Sequence, residues 1–170
     1  MKERWYLQTK KADFNEISRK FNISPILARL IRNRDVVGDE NIRNYLSANI
    51  ERLSSPWLFK DMDRAVDILK IKIAAGNKIR IICDYDVDGV CSGYILYRSL
   101  KKLGAVVDVV VPHRIEDGYG INENLIKKAF YQGIDTILTC DNGIAAYNQV
   151  EYAKSLGMTI IVTDHHEVPY

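Results

Sequence analysis

From residue 79 onward, short apolar runs alternate with stretches whose apolar positions recur every three or four residues. The runs 79–83 (Ile-Arg-Ile-Ile-Cys), 106–111 (Val-Val-Asp-Val-Val-Val), 136–140 (Thr-Ile-Leu-Thr-Cys) and 159–163 (Thr-Ile-Ile-Val-Thr) predict strands. Nearly continuous apolar character suits strands buried on both faces. The helical stretches fall at about 90–103, 122–132 and 145–156, and Gly104, Gly133 and Gly157 stand where each should end. Strand and helix in strict alternation predict an α/β fold: a parallel, Rossmann-like sheet with helices on both faces.

The first part of the chain has another texture. Residues 1 to about 60 read as short helices and turns. Ser24-Pro25 offers an N-cap followed by proline at the first helical position, and Leu27, Leu30 and Ile31 follow at helical spacing. Asp39-Glu40 opens another short helix carrying Ile42, Tyr45 and Leu46, and Ser54-Ser55-Pro56 reads as a turn. A longer helix is predicted from Met62 to Ala75, with Ala65, Val66, Ile68 and Leu69 on its apolar side and Gly76-Asn77 ending it. The expected division is a small helical N-terminal segment, 1–75, and an α/β domain, 76–170.

Composition narrows the class without naming a partner. A chain of 170 residues with 47% hydrophobic and 27% charged residues suits a soluble globular protein with a sizeable core. A net charge of +2 neither requires nor excludes nucleic acid, because a local patch suffices. No apolar run approaches the roughly 20 residues that span a bilayer, and Met1 to Trp5 lead into no apolar leader segment. Cys83, Cys91 and Cys140 form no CxxC pair and read as reduced thiols of a cytoplasmic protein, Cys83 and Cys140 being buried strand ends.

Chemistry gathers at three strand ends. Asp84-Tyr85-Asp86-Val87-Asp88-Gly89 follows the first strand, Asp141-Asn142-Gly143 the third, and Asp164-His165-His166 the fourth. Open α/β sheets bind ligands on that rim. A single aspartate there is ordinarily a turn residue or helix cap, and tandem histidines are common on surfaces; the conjunction carries the argument. If the clusters meet, strands one, three and four are neighbours and the order is 2-1-3-4. So many carboxylates on one rim repel unless cations join them, and carboxylates with imidazole suit Mn²⁺ or Mg²⁺. Two such ions sharing one aspartate would make a phosphoester-hydrolysing centre. Arg114, which follows the second strand on the same rim, is a candidate phosphate contact, and Asn142 a candidate substrate contact. Tyr119, between Gly118 and Gly120, reads first as a turn residue and second as a stacking platform for a base. One competing match exists: Asp86-Val87-Asp88-Gly89-Val90 is similar to the nucleophile loop of haloacid-dehalogenase phosphatases, a family that does not use Asp-His-His.

The three clusters, in this order and spacing, resemble the first three motifs of the DHH phosphoesterases. Trp5, Ile23-Ser24-Pro25, Ala28 to Ile31 and Pro56 to Val66 further resemble the segment preceding those motifs in the family's single-strand-specific exonucleases, as do His113-Arg114 and Gly118-Tyr119-Gly120 between the first two. The resemblance implies that Asp86, Asp88, Asp141 and His165 are metal ligands, with Asp141 bridging. It also implies that His166 and Asp84 serve catalysis, His166 at the scissile phosphate or second metal and Asp84 in support. Relatives often carry a histidine two residues before Asp84, where this chain has Ile82. A fourth acidic motif and a second domain are expected beyond Tyr170. The implied activity is metal-dependent 5′-to-3′ hydrolysis of single-stranded DNA in recombination and repair, with Mn²⁺ or Mg²⁺ as cofactor. The implied partners are single-stranded DNA and single-strand-binding protein, and no membrane. Two alternatives remain open at this point: a phosphodiesterase of short oligonucleotides or cyclic dinucleotides, and a binding module without turnover.

Overall fold

The computed structural model describes residues 3–6, 10–47 and 49–168. Met1 and Lys2, read above for a leader, and the chain end at Tyr170 lie outside the described residues. The chain divides into two compact units, Met1–Leu58 and Phe59–Tyr170.

The first unit holds α1 (Phe14–Phe21), α2 (Pro25–Asn33) and α3 (Asp39–Ser47), then single turns of 3-10 helix at Ile50–Arg52 and Pro56–Leu58. Capping explains the starts. Asp13 accepts from the amides of Asn15 and Glu16, and Ser24 accepts from Leu27 N at 3.1 Å, with Pro25 next. Ala28, Ile31 and Ile42 form the small buried centre. Arg29 lies 4.4 Å over the Phe14 ring, and Lys10 pairs with Asp35. The first helix, α1, is an element the apolar spacing did not single out.

The second unit begins with α4 (Met62–Ala74) and continues through β1 (Lys78–Cys83), α5 (Val87–Lys102), β2 (Val106–Val110), α6 (Glu123–Tyr131), β3 (Thr136–Cys140), α7 (Tyr147–Ser155) and β4 (Thr159–Thr163). All strand pairs are parallel and the order is β2-β1-β3-β4, the order that the meeting of the three clusters required. Strand period sorts the core into two layers. Ile79, Ile81, Cys83, Leu138 and Cys140 join Leu100 of α5 on one face, with Ala65, Ile68, Leu69 and Ile73 of α4 packed against them. Ile82 and Ile137 join Leu125, Ile126 and Ala129 of α6 and Ala153 of α7 on the other. Thus α4 shares the sheet's core, whereas the sequence grouped it with the helical segment 1–75. Gly104, Gly133 and Gly157 adopt positive φ (85°, 70° and 77°) where the helices end. Arg80, nearly buried on β1, holds Asp108 of β2 through two short hydrogen bonds (2.8 and 2.6 Å) and reaches Gln132 Oε1 at 2.6 Å, so its charge is compensated. Among the described residues, no helix is long and apolar enough to cross a membrane.

Candidate metal centre

Register builds the rim. Cys83 pairs with Cys140, and Cys140 with Thr163, so the next residues, Asp84, Asp141 and Asp164, come off three adjacent strands in one row.

Asp84 is buried, 3% exposed, with Oδ1 accepting from Tyr85 N at 2.7 Å. Asp86 begins α5 as its N-cap: Oδ1 accepts from Gly89 N at 3.0 Å. That hydrogen bond is the main cause holding the Asp86 carboxyl below the usual aspartate range. The helix therefore starts at Val87, three residues before its expected start at 90, and Asp88 lies in its first turn rather than in a loop.

Asp141 leaves β3 in the left-handed region, φ 61°, while its amide donates to Thr163 O at 3.0 Å. Its carboxyl is pushed above the ordinary range, first by burial and then by the charge of Asp86. Its Oδ1 is buried and receives no hydrogen bond, although His165 Nε2 stands 3.0 Å away. Asn142 is fully buried and donates to Ile82 O (3.0 Å) and Cys140 O (2.9 Å), pinning β1 to β3. The residue expected to contact substrate is thus a clamp between β1 and β3, its Oδ1 buried without a hydrogen-bond partner.

Asp164 organises the third motif. One oxygen accepts from Ile144 N (3.0 Å); the other accepts from His165 N (2.8 Å) and His166 N (3.1 Å) and lies 2.7 Å from His166 Nδ1. Burial alone would raise its pKa, but these hydrogen bonds win and hold it low. In return Asp164 raises the His166 pKa above the ordinary imidazole value. A carboxylate orienting the imidazole beside a metal is a common supporting arrangement, the role that this geometry suits Asp164 to and that its place in the motif did not single out.

Two groups of donor atoms result. Asp141, His165 and His166 offer atoms within 4.8 Å of one another, as do Asp84, Asp86 and Asp141. Asp141 belongs to both. Asp88, expected as a ligand, lies outside both groups, exposed on α5, and acts on Asp141 only as a nearby charge. These residues fit hard divalent cations: oxygen and imidazole donors converge, crowded carboxylates repel, and one buried carboxylate oxygen lacks any hydrogen bond. The remaining candidates line the approach. Arg114 is exposed, its guanidinium 5.4 Å over the Tyr85 ring. Tyr85 meets Tyr119 edge-on at 6.3 Å, Tyr119 meets His166 at 6.4 Å, and Tyr119 Oη donates weakly to Asp141 O at 3.4 Å. Residues 113–122 carry this edge on their own hydrogen bonds, including His113 N to Asp117 Oδ2 and Asn122 Nδ2 to Asp117 O, each 2.8 Å.

Replacing Asp164 with Asn keeps the shape but removes the charge. The His166 pKa of the metal-free protein is then expected to fall toward its ordinary value, read by NMR titration of the ring. Mn²⁺ affinity should drop about 10–100-fold, as for other partners that orient metal ligands. An unchanged His166 titration would show that Asp164 does not hold that ring.

Residues 78–170 match the family described as "DHH family, N-terminal domain". Over 167 residues the chain is 36% identical to the single-stranded-DNA-specific exonuclease RecJ of Bacillus subtilis (strain 168), covering 98% of this chain and 21% of that protein. Over 146 residues it is 34% identical to the RecJ of Escherichia coli (strain K12), covering 85% of this chain and 24% of that protein. A crystal structure of exonuclease RecJ bound to manganese superposes with a TM-score of 0.61 at 35% identity, over 65% of this chain and 29% of that one. The chain thus spans about a fifth to a quarter of the curated relatives it matches.

Proposed function

Because the chain belongs to the DHH family, we propose that it supplies the metal-binding half-site of a 5′-to-3′ exonuclease that hydrolyses single-stranded DNA in recombination and repair. The observation that carries this reading is the pair of donor groups sharing Asp141. RecJ proteins named for single-stranded DNA, and a RecJ holding manganese, support the substrate and the choice of Mn²⁺ or Mg²⁺.

Asp84, Asp86, Asp141, His165 and His166 would hold the ions, Asp141 being common to both donor groups. When bound, such ions supply Lewis acidity toward water and the phosphodiester. The chain's own residues do the rest. Asp164 fixes the His166 ring and, through backbone amides, the His165–His166 turn. Buried Asn142 keeps the β1 and β3 ends at fixed separation, so Asp84 and Asp141 cannot drift apart. Arg114, held over Tyr85, is a cation for a backbone phosphate, and the Tyr85–Tyr119 edge is a surface for a base. We assign the α/β unit, α4 included, to the catalytic domain and the helical unit before it to an appendage, and place the protein in the cytoplasm, where single-strand-binding protein would present the same substrate.

The test compares a long 5′-labelled single strand, duplex DNA and dinucleotides, each with Mn²⁺, using the full-length gene product; the 170-residue chain by itself is expected to cleave weakly or not at all. Single-strand cleavage from the labelled end supports the proposal; preference for dinucleotides would make this a short-oligonucleotide phosphodiesterase. Binding without turnover would mark a metal- or DNA-binding module. Metal uptake has its own pH signature. The raised Asp141 and His166 hold protons that a cation must displace. Mn²⁺ affinity should therefore be higher at pH 8 than at pH 5.5, with protons released on binding at the lower pH. Calorimetry in buffers of different ionisation enthalpy measures both. Equal affinity at the two pH values would mean that these groups are not ligands.

A further inference from the structure

Next to the metal centre lies a pair of buried thiols to which the proposed hydrolysis gives no part. Cys83 and Cys140 are direct register partners on β1 and β3 and are 1% and 2% exposed. Both belong to the core layer under α4 and α5, so their side chains leave the sheet on the same face. Adjacent strands lie about 4.8 Å apart, within the Cα separation of about 4.4–6.8 Å that disulfides span. The sulfurs come together beneath α5: a Cβ built on Gly93 would stand 2.9 Å from Cys83 Sγ and 3.8 Å from Cys140 Sγ. Cys83 Sγ also donates a long hydrogen bond to Val110 O, at 3.7 Å. Packing alone would be served as well by a thiol facing an aliphatic side chain; two facing thiols add a reaction that core residues otherwise lack.

We propose that Cys83 and Cys140 are a redox-active dithiol that closes to a disulfide under a two-electron oxidant of the peroxide class, and that closure disarms the rim above it. In closing, two S–H bonds break and one S–S bond forms. Two electrons pass to the peroxide, its O–O bond breaks, and its oxygens leave as two waters carrying the thiol protons. Intracellular disulfides of this kind are typically transient sensors.

The effect on the site follows from sequence position. Cys83 is followed at once by Asp84, and Cys140 by Asp141. Bonded sulfurs stand about 2.05 Å apart, closer than two unbonded sulfurs can pack, so closure draws the two strand ends together. Asn142, whose side chain spans Ile82 O and Cys140 O, is fitted to the open spacing. The donor groups sharing Asp141 therefore lose their geometry. This second consequence rests on the metal reading given above; the disulfide itself does not.

The 170-residue chain, metal-free, is treated with hydrogen peroxide beside C83S, C140S and C91S variants, then alkylated under denaturing conditions. In the wild type and C91S, Cys83 and Cys140 are expected to resist alkylation and to appear as one cross-linked peptide, reversed by dithiothreitol. Neither C83S nor C140S should form an intramolecular cross-link. Hydrogen exchange of the amides over 84–89 and 141–143 should change on oxidation in the wild type and in neither of those two variants. Mn²⁺ affinity should fall at least about 10-fold on oxidation. A reduced wild type that binds no Mn²⁺ would refute the metal reading, while the cross-link and exchange results still decide the dithiol. Oxidation to sulfinic acid without a cross-link, a bond to Cys91 instead, or a Cys83–Cys140 disulfide that leaves exchange at 84–89 and 141–143 unchanged would overturn the proposal.

Discussion

Replacing Asp141 with asparagine is expected to lower Mn²⁺ affinity at least about 100-fold and to abolish phosphodiester hydrolysis, while the metal-free protein unfolds at the same temperature or higher. Groups that merely orient a metal ligand already contribute about 10–100-fold, and Asp141 is the residue common to both donor groups. Asparagine is the informative change because it tolerates the left-handed backbone at this position, φ 61°, where alanine would add strain. The side chain that faces the charge, His165, is itself exposed. The Asp141 amide, not its side chain, is bonded to Thr163, and the carboxyl is held above its ordinary range by burial and by Asp86. A folded-state pKa raised in this way means that ionised Asp141 opposes folding without metal. Its substitution should therefore help most at neutral pH and least in acid, where the native residue is already protonated. Mn²⁺ titration with a thermal melt at pH 7.5 checks both halves. Wild-type affinity in the variant would remove the shared-ligand reading.

How much of this was legible in the sequence differs between elements for physical reasons. The central strands β1 and β3 were legible because strands buried on both faces must be apolar throughout, and the run Thr136–Cys140 is fully buried. The order β2-β1-β3-β4 was legible because three polar motifs at strand ends have to meet somewhere. Finer placement was hidden. The acidic run after β1 offers its carboxylates at alternating positions, and the capping bond from Gly89 N to Asp86 marks that α5 begins at Val87 and sets Asp88 in its first turn. Asn142 carries the same side-chain chemistry on a rim as inside a sheet; its two carbonyl partners are set by register, which sequence does not print. Asp164 looked like one more acid beside two histidines, yet the chain folds its carboxylate back onto the amides of both. The signal that could have exposed it is the Asp-x-x pattern of a capping turn, which accepts bonds from its own next residues.

Among single substitutions, Gly89 to alanine is expected to be the most damaging to the fold. A Cβ there would stand 2.4, 2.6 and 2.7 Å from the O, C and Cα atoms of Asp84. All three are backbone, so no rotamer change can relieve the overlap, and either α5 or the end of β1 must move. If α5 moves, it gives up the Asp86 cap, whose acceptor bonds this same Gly89 amide. If β1 moves, Asp84 leaves the donor group it forms with Asp86 and Asp141. Overpacking of this kind costs typically about 1–3 kcal/mol and occasionally more, which corresponds to a fall in Tm of roughly 4–13 °C for a unit of this size. Mn²⁺ affinity should fall with it, about 10-fold or more, because both routes displace a carboxylate. Gly93 to alanine, one turn further along the same helix, is the matched control. There the nearest atoms are the side-chain Sγ and Cβ of Cys83, at 2.9 and 3.2 Å. The sulfur can turn away, and alanine regains up to about 1 kcal/mol of helix preference over glycine. Its Tm should stay within a few degrees of wild type, with metal affinity nearly preserved. Paired melts and Mn²⁺ titrations of the two variants separate the cases. Equal effects at the two positions would show that α5 is seated on the thiols as firmly as on the Asp84 backbone, and that the first turn is not what fixes the rim.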